Sequence, residues 1–106
     1  MTEKQKTIGS SVSVTGFGLH TGQQGTMTFY PTDVDHGIKF RRSDLKKKPI
    51  INVDIENVVG TARGTTIGEN GANVFTIEHV LAAFRGLGID NVLIDLDMEE
   101  IPILDG

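Results

Sequence analysis

Apolar and polar residues alternate with a period of two over much of the first two thirds of the chain, the pattern of strands buried on one face. In "SVSV", Val12 and Val14 share a face, and "GTMTFYP" alternates through Met27 and Phe29 until Pro31 stops it. "DHGIKFRRSD" reads as a turn and then a strand with Ile38 and Phe40 inward; "DLKKKP" reads as an exposed connection. "IINVDI" sets Ile51, Val53 and Ile55 on one side, with Asn52 and Asp54 opposite. In "GENGAN", Asn70-Gly71 can supply two consecutive positive φ angles, which predicts a tight hairpin from about Thr65 to Phe75.

One segment departs from that period. Ile77, Val80, Leu81, Phe84 and Leu87 fall at i, i+3, i+4, i+7 and i+10, the stripe of an amphipathic helix. Thr76 is placed to cap it, its hydroxyl accepting from the backbone N–H of Glu78 or His79, and Gly86 and Gly88 are placed to end it. Alternation then returns in "NVLIDLDM", with Val92, Ile94, Leu96 and Met98 inward and Asp95 and Asp97 outward. Strands in series with one packed helix predict an α+β fold, a two-layer sandwich of a mainly antiparallel sheet packed with helix.

A chain of 106 residues suffices for one domain with one core. No stretch approaches the roughly 18 apolar residues of a membrane span, and "MTEKQKT" has no apolar region of the kind a secretory signal needs. With no cysteine, disulfides and thiolate metal sites are excluded, which fits a reducing cytoplasmic setting. Any metal must be held by His, Asp or Glu. Net charge is -4, yet residues 1–50 carry eight Lys/Arg against four Asp/Glu, and residues 51–106 two against ten. The basic runs, Arg41–Arg42 and Lys46–Lys48, have no helix or aromatic series to organise them, so nucleic acid is not an expected partner. At the other end, "EEIPILDG" sets apolar Ile101, Ile103 and Leu104 beside Asp105-Gly106 and then stops, which reads as a cut rather than a finished domain.

Candidate chemistry gathers at the start of the helix. Glu78 and His79 lie off the apolar stripe, in the first turn, where unpaired backbone N–H groups favour an ionised carboxylate and a neutral imidazole. A carboxylate base beside a neutral imidazole suits metal-assisted hydrolysis. Helix capping by Glu78 and plain surface exposure of His79 account for the same two residues, and spacing alone leaves both readings open. Catalytic zinc takes about three protein ligands, whereas the chain has only His20, His36 and His79 and no HExxH pattern. His36 in "DVDHG" reads as a turn residue. "GFGLHTG" is not a dinucleotide fingerprint, since its glycine spacing differs and a strand follows. The alternation of Asp95, Asp97, Glu99 and Glu100 reads as a solvated face rather than a calcium site.

Five blocks, "SVSVTGFGLHTG", "GIKFRRSDL", "TARGTTIG", "TIEHVLAAFRGLGIDN" and "EIPILDG", run in this order along nearly the whole chain. Together they strongly resemble the N-terminal domain of the UDP-3-O-acyl-N-acetylglucosamine deacetylases, zinc enzymes of lipid A biosynthesis in Gram-negative bacteria. The resemblance implies that His79 ligates Zn²⁺ and that Glu78 is the general base for a water attacking the acetamide carbonyl of the sugar, releasing acetate and a free amine. It implies that Leu19 and His20 of "GFGLHTG", and Ala62, Arg63 and Gly64 of "TARGTT", stand at the edge of the active site.

The same resemblance implies a two-domain enzyme with zinc in the cleft between similarly folded halves. Residues 1–106 would then be its truncated N-terminal domain, inactive alone. The C-terminal domain, a partner within the same chain, would supply the remaining zinc ligands, the groups that stabilise the oxyanion and protonate the amine, and the acyl-chain passage. A rival of another class is a non-catalytic module of this fold that binds a nucleotide-sugar or a protein.

Overall fold

The structure, a computed structural model, describes residues 5–60 and 64–103, apart from the side chains of Ile55 and Ile103. Along these residues run the strands β1 (Val12–Gly18), β2 (Gln24–Pro31), β3 (Ile38–Arg42), β4 (Ile50–Asn52), β5 (Val58–Gly60), β6 (Thr66–Glu69) and β7 (Ala72–Phe75). Helix α1 (Glu78–Leu87), β8 (Val92–Leu96) and β9 (Pro102–Ile103) follow. Six strands form one sheet in the order β4-β3-β8-β2-β1-β9, and three form a second in the order β5-β6-β7. All pairings are antiparallel except β3 with β8, so the fold is α+β with a mainly antiparallel sheet.

Register explains which face of the large sheet is covered. Val14 pairs with Met27 and Met27 with Leu96, while Ile94 lies between Phe29 and Phe40, and Phe40 pairs with Ile51. Directly paired residues point the same way, so one face is apolar except at Arg42, which pairs with Leu96 and is buried with its guanidinium bonded to Asp44 and the Asn73 carbonyl. Against this face packs α1, whose Val80 and Phe84 are buried; the Phe84 ring meets Phe29 edge-on, centroids 5.3 Å apart and planes at 78°. Ile67 and Val74 of the small sheet join the same core. The opposite face is polar: the hydroxyls of Ser13 and Thr28 are 2.9 Å apart, and the Arg41 guanidinium bonds Asp95 at 2.7 Å while lying over the Tyr30 ring.

Asn70-Gly71 turns the hairpin between β6 and β7 with φ of 57° and 79°, as its sequence demands. His36 is a turn residue between β2 and β3, its ring nitrogen bonded to the Gly37 carbonyl. Gly88, in the left-handed region at φ 70°, closes α1: its N–H donates to Arg85 O and that of Ile89 to Phe84 O, a Schellman ending.

Four expectations change. Thr76 does not cap α1; its φ is 65°, Ile77 holds the cap position, and no side chain caps the helix. Leu87 is 70% exposed, so the buried part of the stripe ends at Phe84. Gly86 lies within the helix, leaving its ending to Gly88. The strand in "IINVDI" stops at Asn52, and a 3-10 turn begins at Ile55, with Asn57 N–H bonded back to Asp54 O.

Candidate active site

Helix α1 emerges from the hairpin strand β7 through a tightly held corner. Phe75 N–H donates to Glu99 O, Ile77 N–H to Thr65 O and Ile101 N–H to Phe75 O. These bonds fix the backbone on both sides of Thr76, whose left-handed φ costs a β-branched residue on the order of 1–3 kcal/mol. Strain of that kind persists only where the surroundings determine it, and here it sets the direction in which the helix leaves the sheet.

The first helical residue, Glu78, folds its carboxylate back over the 64–65 backbone. Thr65 N–H donates to both carboxylate oxygens at 3.3 Å. Gly64 is required twice over: its φ is 78°, and a Cβ there would lie 2.7 Å from Oε2 and 2.8 Å from Oε1 of Glu78. The carboxylate is therefore held by backbone, half-buried, with neighbours too close for a side chain to intervene.

His79 follows on the helix and is exposed. It stands at the rim of a groove of about 410 Å³ lined by Val14, Met27 and Phe29 of the sheet and Val80 and Ala83 of the helix. An exposed imidazole beside a fixed carboxylate can ligate a metal while its neighbour accepts a proton from water. Among the described residues, no three His, Asp or Glu side chains come together to hold a metal ion. His79 thus fits as one donor of a zinc site, and a full set needs donors beyond those described.

Below this corner lies Glu100, fully buried. It does not belong to a solvated acidic face. His20 N–H donates to both of its oxygens, at 3.2 and 3.0 Å, Thr21 donates from N–H and Oγ1 at 3.0 Å each, and the Thr76 hydroxyl donates at 3.3 Å. Burial works against its ionisation more than any single bond favours it, but the bonds from Thr21, His20 and Thr76 together prevail and hold the carboxyl below its ordinary value. A signal for Glu100 exists in the sequence. Val92, Ile94, Leu96 and Met98 are the inward positions, and the same parity continued reaches residue 100.

Leu19 and His20 lie in the loop between β1 and β2, both exposed, tied to α1 by the chain His20–Glu100–Thr76. Of the "TARGTT" residues, Gly64 sits against Glu78, and Ala62 and Arg63 lie outside the described residues.

The family description "LpxC: UDP-3-O-acyl N-acetylglycosamine deacetylase" matches residues 5–106. The chain belongs to this deacetylase family. A protein of Bacteroides thetaiotaomicron named "Bifunctional enzyme LpxC/FabZ" is 50% identical to it over 103 residues, covering 97% of this chain and 22% of the relative. The UDP-3-O-acyl-N-acetylglucosamine deacetylase of Saccharophagus degradans is 46% identical over 103 residues, 97% of this chain and 34% of the relative. That of Geobacter sp. is 46% identical over 102 residues, 96% of this chain and 33% of the relative. The chain therefore spans between 22% and 34% of the length of these curated relatives. No helix among the described residues of this deacetylase-family chain is long and apolar enough to cross a membrane.

Proposed function

We propose that this chain is the N-terminal domain of a cytoplasmic, zinc-dependent amidohydrolase. Its substrate would be UDP-3-O-(3-hydroxyacyl)-N-acetylglucosamine, cleaved to acetate and the free amine in lipid A biosynthesis. The observation that carries this reading is the backbone-held Glu78 carboxylate next to the exposed His79, in a chain whose full-length relatives bear the deacetylase name.

Zinc held through His79 would supply Lewis acidity towards water and the amide carbonyl. Glu78 supplies the base: with the Thr65 N–H fixing its position, a carboxylate oxygen takes one proton as water oxygen bonds to the acetyl carbon. The C–N bond then breaks, acetate departs, and the sugar nitrogen leaves as an amine after gaining a proton. A fixed base loses little entropy when the reacting geometry forms. Leu19 and His20, exposed on the β1–β2 loop, and Gly64, which sits against Glu78, would border the substrate, and by the family resemblance Ala62 and Arg63 would join them. The remaining zinc ligands and the groups that steady the oxyanion come from the C-terminal domain of the longer protein, so residues 1–106 alone are inactive.

Acetate release from this substrate by the full-length protein, with metal content measured per chain, tests the reading. A metal-replete protein that releases no acetate sinks it.

A further inference from the structure

Glu100 is a buried charge that the hydrolysis described above does not use. Four donors point at its two oxygens: the N–H groups of His20 and Thr21 and the hydroxyls of Thr21 and Thr76. Two of the residues that bind it precede β2, and the third, Thr76, lies two residues before α1, so one carboxylate joins two segments that the sheet does not join directly. Within the loop, Gly18 N–H bonds Gln23 O and Gly22 N–H bonds Gly18 O, which shapes the turn without attaching it to the helix. Gly18 completes the seat, since a Cβ there would collide with the Glu100 carboxylate and the Thr21 hydroxyl.

We propose that Glu100 is a positioning residue that clamps the β1–β2 loop to the start of α1, fixing Leu19 and His20 relative to Glu78 and His79 so that they meet the substrate. The proposal rests on the deacetylase reading, in which Leu19 and His20 face the sugar nucleotide. A carboxylate suits the task because it only accepts, and every group pointing at it can donate. An amide in its place would turn an NH₂ group towards at least one of these donors. Adjacent backbone N–H groups reinforced by hydroxyls form an anion-binding concavity, occupied here by a side chain of the same chain. Released, the loop would keep its internal turn and lose its orientation. Substrate binding would then weaken while the base and the metal ligand on α1 stay in place.

The test compares Glu100→Gln and Thr21→Val with wild type in the full-length zinc-loaded protein, reading KM, kcat, metal per chain and thermal unfolding. Glu100→Gln should raise KM for the UDP-sugar about 10-fold, the effect of losing one hydrogen bond to a charged group, with kcat and metal content changed by no more than about 2-fold. Thr21→Val removes a hydroxyl and keeps the backbone donor, so it should raise KM by about 3-fold, and it carries the test if Glu100→Gln does not fold. A folded variant with unaltered KM overturns the proposal and leaves Glu100 a purely structural charge. A fall in kcat accompanied by metal loss at constant KM overturns it too, since the clamp would then act on the metal end. Inactive wild type defeats the deacetylase reading and this inference with it; active wild type with unaltered variant KM defeats the inference alone.

Discussion

Gly64 and the Glu78 carboxylate are in such close register that a methyl group on Gly64 would lie 2.7 Å from one oxygen and 2.8 Å from the other. Gly64→Ala must therefore displace Glu78 while also straining a backbone at φ 78°. In the full-length protein this substitution should lower kcat by up to about 10²-fold, the scale for a misplaced reacting group. Metal per chain should hold, because His79 is untouched. Unchanged kcat with normal metal would show that the Glu78 position seen here is not the reactive one.

The two members of the first-turn pair should separate by metal content. Glu78→Ala removes the base and leaves the ligand, so zinc is retained while the rate falls by about 10²–10⁴. His79→Ala removes a ligand, so zinc occupancy and rate both fall, and only this variant responds appreciably to added Zn²⁺. Metal analysis beside kcat at saturating substrate decides the matter. Loss of zinc in Glu78→Ala with retention in His79→Ala reverses the roles, and near-normal rates in both make the pair a helix-turn carboxylate and a surface imidazole.

Packing predicts a steep contrast along one helix. Phe84 is buried against Phe29, so Phe84→Ala should destabilise the domain by about 3–5 kcal/mol. Val80→Ala should cost less, having fewer atoms to lose, and Glu78→Ala less again, on the order of 1 kcal/mol or below. Leu87→Ala, at a position 70% exposed, should stay within about 0.5 kcal/mol of wild type. Denaturant midpoints rank the four, and a Leu87 effect matching that of Phe84 would mean the helix sits lower on the sheet than observed.

Acid should weaken the fold partly through Glu100. Its carboxyl titrates below the ordinary value of 4.5 when folded, so the unfolded chain takes up the proton first as pH falls. The stabilisation is complete above about 4.5 and is lost progressively as pH drops through the lower folded value. Unfolding midpoints between about pH 6 and pH 3 should fall more steeply in wild type than in Glu100→Gln, although the variant starts less stable. Parallel profiles would remove Glu100 from the acid response.

Local signals carried well where the structure is local. The Asn70-Gly71 turn needs only two positive φ angles, and Val92, Ile94 and Leu96 need only a two-residue period, so both were legible. The first turn of α1 was not. Thr76 looks like a cap from its neighbours, yet its hydroxyl serves Glu100, 24 positions away, and its backbone is turned left-handed by bonds that include Phe75 to Glu99. Glu99 and Glu100 are the same residue type, and only the parity that Glu100 shares with Val92, Ile94, Leu96 and Met98 separates in sequence a half-exposed carboxylate from a fully buried one. The base and ligand positions, Glu78 and His79, were visible as residue types in a helical first turn. The seat provided by Gly64 and Thr65 was not, because it depends on two segments meeting.

The clamp on Glu100 also has a consequence in time. It joins Glu100 to His20 and Thr21 across 80 and 79 positions of chain. During synthesis at roughly 5–20 residues per second, about 4–16 s separate the appearance of that loop from the appearance of its acceptor. Through this interval the β1–β2 turn can form against β2, but the carboxylate that orients it has not yet been made. The β1–β2 pairing is thus available early to a growing chain, and the arrangement of the loop over the helix start can be set only once Glu100 has been made.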